Sequence, residues 1–325
     1  MDAMQRLRSR YPQQRVLITG ATSGLGEALA LRFAAAGFRV AVASRNPAKV
    51  QATVAQIEQA GGQALGLELD VNKLEDFENA RVRVEEAWDG LDILINNAGV
   101  VTGGKLKDLG LEVWKQSLDT DLWSVIHGCR VFLPLLEKSG AGHIVNVASA
   151  AGLLNGPDVA TYNVAKAGVI ALSETLKVEL ASLNIDVTVS CPTVFKSQLL
   201  NPAGHEGDVF EGTTAKGLAN EMATTSITSD HVAESLIKAM ARGRLYDIPQ
   251  YDGKIQWLLA RLMPETFRKL ILYMYRQRRG YLTIGSSALP QVYQSRVTVG
   301  RVPAKPERSM CRQSMQNLAI LPAQL

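Results

Sequence analysis

Cysteine is scarce in this chain. Its 3 cysteines, Cys129, Cys191 and Cys311, stand far apart. They form neither a disulfide framework nor a metal-binding pattern, so a reducing compartment, the cytoplasm, is the expectation. Long apolar runs are missing too: no stretch approaches the roughly 18 residues that a membrane-spanning helix needs. The opening residues MDAMQRLRSRYPQQ are polar and carry no apolar signal core. Charge of one sign is not in large excess. The 35 lysines and arginines face 31 aspartates and glutamates, a net +4, too small to argue for a nucleic-acid partner. No internal repeat is visible.

What the chain has is an ordinary globular composition, 46% hydrophobic and 20% charged, and enough length to bury a sizeable core. Its 325 residues suit one large α/β domain or two small ones. From residue 15 to about residue 250, short apolar runs alternate with longer helical patterns. RVLITG, FRVAVASR, GQALGLELD, LDILINNAG, GHIVNVAS and IDVTVSC read as strands. Among the helical patterns, LEVWKQSLDTDLWSVIHGCRVFLPLLE reads as one long helix and ATYNVAKAGVIALSETLKVELAS as another. Such alternation builds a doubly wound parallel α/β sheet, the Rossmann arrangement, here a single domain over residues 1–250. Ligands of these sheets sit beyond the carboxyl ends of the strands.

After Cys191 the pattern loosens. Residues 193–226 read as a loop that carries Phe195, Leu199, Leu200 and Phe210. A helix follows at SDHVAESLIKAMARG, with Ser229 or Asp230 near its N-cap, then a strand-like RLYDIP. Residues 251–280 read as an apolar and basic helical extension broken near Pro264, and residues 281–325 as a loosely ordered tail.

The turn after the first strand is TGATSGLG, which offers Gly20, Thr22, Ser23, Gly24, Leu25 and Gly26 as a phosphate loop. Glycines there make the tight turn, let backbone approach a pyrophosphate and let helix and sheet pack closely; the next helix adds free N–H groups. A purely structural turn is the plainer reading. The second strand ends in Ser44 and Arg45, where an acidic residue would take the ribose hydroxyls of NAD. A neutral serine and a guanidinium suit a 2′-phosphate instead, so NADP(H) is expected over NAD(H).

Thr161 to Gly168 reads TYNVAKAG. Tyr162 and Lys166 share a helix face, where the ammonium stabilises the phenolate of a side chain whose free pKa is about 10. Alone, the pair is as readily a surface coincidence. Its company decides. TGATSGLG, LDV around Asp70, NNAG from Asn96 to Gly99, Ser149 and YNVAK follow one another in that order, with Ser149 13 residues before Tyr162. In that order and spacing the chain resembles the short-chain dehydrogenase/reductase family over roughly residues 13–250.

The resemblance implies hydride transfer between a nicotinamide cofactor and an alcohol or carbonyl. Tyr162 would be the general acid in reduction and the base in oxidation. Lys166 would lower the tyrosine pKa and hold the nicotinamide ribose, and Ser149 would hydrogen-bond the substrate carbonyl. Asp70 and Val71 would sit by the adenine, and Asn96, Asn97, Ala98 and Gly99 along the cofactor. A homo-oligomer follows by family analogy alone.

Two positions depart from the family pattern. Asp121 stands where an asparagine is usual in the helix after the fourth strand. It keeps a proton relay, pairs with a cation, or is simply a satisfied helix residue. After the sixth strand, CPTVFKS keeps Pro192 but has Thr193 in place of the usual glycine, and Ser197 where a threonine is usual. The Val194 backbone and the Ser197 hydroxyl stay candidates for positioning the nicotinamide.

Residues 254–279 mix Trp257, Leu258, Leu262, Phe267 and Leu270 with Lys254, Arg261, Arg268, Lys269 and Arg276. Such a segment serves as a lid, a subunit contact or a peripheral contact with an anionic membrane. With the hydrophobes of the preceding loop it suggests an apolar pocket and a lipid-like, steroid-like or aromatic carbonyl substrate. The combined reading is an NADP(H)-preferring oxidoreductase that interconverts an alcohol and a ketone or aldehyde, without metal. Two alternatives stay open. One is a nucleotide-binding regulator that no longer turns over, supported by Asp121 and Thr193. The other is a sugar-nucleotide epimerase or dehydratase, although those usually show GxxGxxG spacing and a larger substrate domain.

Overall fold

Strands that read as unbroken apolar runs need cover on both faces, and the computed structural model supplies it. The structure describes residues 1–197 and 213–277. All of these fall in one compact unit, Met1–Gly285; the expected tail, residues 281–325, lies outside the described residues. The elements run α1 (Ala3–Arg10), β1 (Arg15–Thr19), α2 (Gly24–Ala35), β2 (Arg39–Ser44), α3 (Pro47–Gln59), β3 (Gln63–Glu68), α4 (Leu74–Trp88) and β4 (Ile93–Asn96). Then come α5 (Leu111–Leu118), a π turn (Asp119–Trp123), α6 (Ser124–Lys138), β5 (Gly142–Val147), α7 (Ala151–Leu154), α8 (Ala160–Glu179) and β6 (Ile185–Ser190). The described chain closes with α9 (Thr213–Thr224), α10 (Ser229–Ala241), β7 (Tyr246–Asp247), α11 (Tyr251–Leu262) and α12 (Pro264–Arg276).

The strands form one parallel sheet in the order β3-β2-β1-β4-β5-β6-β7. Strand order reverses direction between β1 and β4, which opens a crevice at their carboxyl ends. Successive side chains of β1 alternate between two cores. Val16 and Ile18 meet Leu25, Leu29 and Phe33 of α2 and Val232 and Leu236 of α10 on one face. Leu17 meets Phe77 of α4, Phe132 of α6 and Val169 of α8 on the other.

The structure corrects several expectations. The long helix after β4 is interrupted by the π turn, where the Asp121 carboxyl leaves the helix to accept the Val100 N–H at 3.1 Å. Ser124 Oγ bonds the Thr120 carbonyl at 2.6 Å in the same turn, the kind of local competition that loosens a helix ladder. Part of the expected 193–226 loop is α9, a helix whose glycine and threonines weaken its sequence signal; Leu199, Leu200 and Phe210 lie outside the described residues. Phe195, half-buried, packs against the core cluster shared by α2 and α10. The N-cap of α10 is Thr228, one residue earlier than read. The break at Pro264 stands, with the proline in the first turn of α12.

Sequence reading missed α1. Asp2 and Gln5 cap it reciprocally, and Leu7 and Tyr11 are buried in the core. The Tyr11 hydroxyl lies 3.0 Å from His143 Nδ1, and His143 Nε2 lies 2.9 Å from the Thr188 hydroxyl. Burial pushes the His143 pKa down to about 3, so the native imidazole is neutral. In the unfolded chain it protonates below about pH 6.5. Stability from this group is therefore whole above about 6.5 and falls as pH drops toward about 3, by at most about 1.4 kcal/mol per pH unit. We expect the urea midpoint to drop between pH 7 and pH 5, and to drop less in His143→Gln. Equal pH slopes in the two proteins would refute this assignment.

The α11–α12 pair rests on α7. Phe267, Leu259, Ala260 and Ile271 pack with Ala150, Leu153 and Leu154. Arg268 Nη1 donates to the carbonyls of Leu154 at 2.6 Å and Asn155 at 3.2 Å. Tyr251, Ile255, Leu258 and Leu262 remain exposed on the outer side. Among the described residues no helix is long and apolar enough to cross a membrane.

Candidate active site

The phosphate-loop candidates lie at the mouth of the crevice, between β1 and α2. Gly20 and Gly24 take φ of +64° and +56°, a region that costs other residues backbone strain. A Cβ on Gly26 would fall 2.2 Å from the Gly20 carbonyl oxygen, so only glycine closes the helix onto the turn. Ser23, the N-cap of α2, makes no side-chain cap, and the first N–H groups of the helix stay available. Leu25 anchors the turn in the core. Ser197 lies against Gly24, 3.9 Å from where a Cβ would stand.

The neighbouring strand ends are stitched to this loop. Asn97 Nδ2 donates to the carbonyls of Thr19 at 3.0 Å and Gly20 at 3.2 Å. Thr19 Oγ1 accepts the N–H groups of Asn97 and Ala98 at 3.0 and 3.1 Å. Thr22 Oγ1 lies 3.2 Å from Ser44 Oγ, joining the loop to the end of β2, where Arg45 is exposed. Beyond β3, the Asp70 N–H donates to Asp76 at 2.9 Å and Asp70 Oδ1 accepts the Asn72 N–H at 3.1 Å. Val71 follows, half-buried. Asn96 departs from expectation. It turns inward, donating to Asn146 at 2.9 Å, because adjacent residues of a strand face opposite sides.

The second cluster faces the same mouth. Lys166 is buried on α8, and its Nζ lies 3.1 Å from Asp121 Oδ1 and 3.2 Å from the Val147 carbonyl. It stands 5.5 Å from the Tyr162 ring centre. The Ser149 hydroxyl hydrogen-bonds Tyr162 and accepts the Ala151 N–H at 3.1 Å. Gly99 closes over the ion pair: a Cβ there would fall 2.6 Å from Asp121 Oδ1.

Lys166 acts on Tyr162 in the expected direction, but it does not act alone. Burial holds the Tyr162 pKa above its ordinary value; Lys166 pulls it down, but Asp121 pushes it up again. Burial works against the Lys166 ammonium, yet Asp121 and Tyr162 outweigh that and raise its pKa. Asp121 is itself raised by burial, against the pull of Lys166. The aspartate therefore pairs with the cation that was expected to serve the tyrosine.

Pro192, Val194 and Ser197 follow β6. The Pro192 carbonyl accepts the Ala150 N–H at 2.9 Å. Gln250 Oε1 accepts the Thr193 N–H at 3.0 Å, and Gln250 Nε2 donates to the Val194 carbonyl at 3.4 Å. The Thr193 methyl fits because α11 offers Gly253, where a Cβ would come within 2.8 Å of it. Sequence reading did not find Gln250 or Gly253, which carry no local signal; it had Thr19 as the first residue of the TGATSGLG turn, without its bonds to Asn97 and Ala98. Among the described residues no three His, Cys, Asp or Glu gather as a metal site.

Comparison with known proteins gives the same outline. The short chain dehydrogenase model matches residues 14–207. A 3beta-hydroxysteroid dehydrogenase of Mediterraneibacter gnavus is 35% identical over 184 residues, 56% of this chain and 66% of that one. A 3-oxoacyl-[acyl-carrier-protein] reductase of Synechocystis is 33% identical over 180 residues, 55% of this chain and 73% of that one. The chain spans only 45% of a Mycobacterium tuberculosis relative that matches at 29% identity over 268 residues. A crystal structure of a short chain dehydrogenase/reductase from Burkholderia phymatum in complex with NAD has a TM-score of 0.72 at 27% identity, over 77% of this chain and 94% of that one.

Proposed function

We propose that this chain, which belongs to the short-chain dehydrogenase family, interconverts an alcohol and a ketone or aldehyde with a nicotinamide cofactor, preferring NADP(H). One observation carries the reading. Ser149, Tyr162 and Lys166 meet at the mouth of the same crevice as the glycine turn and the uncapped start of α2. The turn suits a pyrophosphate: Gly20 and Gly24 hold the positive φ of the tight turn, Gly26 lets α2 close onto it, and the first N–H groups of α2 are left uncapped.

Gly20, Thr22, Ser23, Gly24, Leu25 and Gly26 would hold the phosphates, and Ser44 and Arg45 the ribose phosphate. Asp70 and Val71 would flank the adenine; Asn97, Ala98 and Gly99 would line the middle; Pro192, Val194 and Ser197 would face the nicotinamide end. The cofactor, when bound, supplies or takes the hydride. Ser149 donates a hydrogen bond to the substrate carbonyl oxygen, and Tyr162 passes its phenolic proton to that oxygen during reduction. Lys166 steadies the phenolate that remains.

An apolar substrate is supported by the α11–α12 cover over α7 beside Ser149, and by the hydroxysteroid dehydrogenase among the relatives. In this reading α11 and α12 form a lid. Exposed Trp123 and Val164 support a homo-oligomer contact.

The test follows the loss of reduced-nicotinamide absorbance over a panel of bulky apolar ketones and small polar carbonyls. Turnover of polar sugars with none of the apolar ketones would remove the substrate class. Tight NADPH binding without turnover on any compound would favour a regulator. For cofactor choice, Arg45→Ala is expected to raise the KM for NADPH roughly tenfold or more, the weight of one charge-assisted hydrogen bond, and to spare NADH. Equal effects on both would assign Arg45 no part in discrimination.

A further inference from the structure

We propose that Asp121 is a positioning residue that ties Lys166 into a sealed ion pair and so keeps the Tyr162 proton in place through neutral and mildly alkaline pH. The inference rests on Tyr162 as the proton donor and names what regulates it.

The geometry is specific. Lys166 Nζ has Asp121 Oδ1 at 3.1 Å and the Val147 carbonyl at 3.2 Å. Asp121 Oδ1 also accepts the Val100 N–H at 3.1 Å, while Asp121 Oδ2 is buried without a hydrogen-bond partner. Both compensating donors therefore converge on one oxygen. The Asp121 side chain is 0% exposed and that of Lys166 4%, so solvent screens the pair little. A lone Lys166 would present Tyr162 with an uncompensated positive charge. A Lys166–Asp121 pair presents a dipole, a much weaker inducement to lose the phenolic proton.

The other groups around the tyrosine do not replace that charge. Ser149 faces Tyr162 from the junction of β5 and α7 as a neutral hydroxyl. Cys191 faces it from the end of β6, with its thiol kept neutral by burial. Asp247 and Glu174 lie behind Cys191 and add negative potential. Lys166 is thus the cation that acts on Tyr162, and Asp121 sets how much of its charge the tyrosine feels.

The test is an ultraviolet difference titration of the cofactor-free chain, which reads phenolate directly. The chain has 8 tyrosines, so Tyr162→Phe in each background serves as the blank. Asp121→Asn is expected to move the Tyr162 midpoint down by about one to two pH units, roughly 10- to 100-fold more phenolate at a given pH. The alkaline limb of kcat/KM for carbonyl reduction should move down with it. Asp121→Ser removes the same charge with a smaller side chain and gives the same reading should the amide fail to fold. Midpoints that coincide with the parent chain would overturn the proposal, because Asp121 would then hold its own proton beside Lys166. The titration needs neither substrate nor cofactor. A silent carbonyl panel with a moved midpoint would thus sink the enzymatic reading and leave the ion-pair role standing.

Discussion

Tyr162→Phe is expected to lower kcat/KM for carbonyl reduction by about 10²- to 10⁴-fold, the usual contribution of a positioned general acid. The substitution removes one hydroxyl and keeps the ring. The Lys166–Asp121 pair, at 3.1 Å, does not depend on that hydroxyl, and neither does the glycine turn. Cofactor affinity and thermal midpoint should therefore stay close to those of the parent chain, while the rate falls. That split marks a residue used in the reaction and not in the scaffold. Steady-state kinetics on the best ketone of the panel, with cofactor binding measured separately by fluorescence, gives the answer. A variant that keeps most of its rate would move proton delivery away from Tyr162.

The largest expected effect on stability comes from Asp92→Ala. Asp92 accepts from Arg15 three times, from the backbone N–H at 2.8 Å, from Nε at 3.3 Å and from Nη2 at 2.8 Å. The side chains of Arg15 and Asp92 are only 6% and 3% exposed. Removing the carboxylate leaves a buried guanidinium held by the Trp88 carbonyl and the Ser139 hydroxyl alone. Breaking such a pair from one side costs about 3–5 kcal/mol, a large share of the roughly 5–15 kcal/mol that holds a domain together. The pair Arg32–Asp230 is a control in the same molecule. Its side chains are 38% and 67% exposed, and Asp230→Ala should cost no more than about 1 kcal/mol, although Asp230 also lies in the first turn of α10. Urea unfolding of both variants against the parent checks the contrast. Similar losses would mean that water reaches Arg15 when its partner is gone.

Much of the fold and the site was legible because the informative residues are contiguous. TGATSGLG and TYNVAK each place their groups within one turn and the helix that it starts, so local periodicity suffices. Contacts between distant segments were not legible. Gln250 meets Thr193 across 57 positions, and nothing near either residue marks the other. The inward turn of Asn96 depends on which face of β4 each asparagine takes, which an NN pair at a strand end does not specify. Helix α1 spans only 8 residues, too few for apolar periodicity; its cap and the Tyr11–His143 contact fix it instead. Pairing of Asp121 with a cation was one reading of the sequence, but that the cation is Lys166 was not legible, since the two stand 45 positions apart and meet only in the fold.

The π turn has a consequence for chain length. An α-helix rotates by about 100° per residue, so the residue gained between Asp119 and Trp123 sets the face that α6 turns to the sheet relative to α5. Deleting any one residue there would restore a regular helix. It would also swing Val125, Cys129, Phe132 and Leu136, all buried, away from their partners by that angle. A descendant of this chain that keeps the same core is thus bound to keep the length of this segment, whatever side chain stands at position 121. The register is inherited through packing, a constraint separate from the one that the Lys166 ion pair places on position 121.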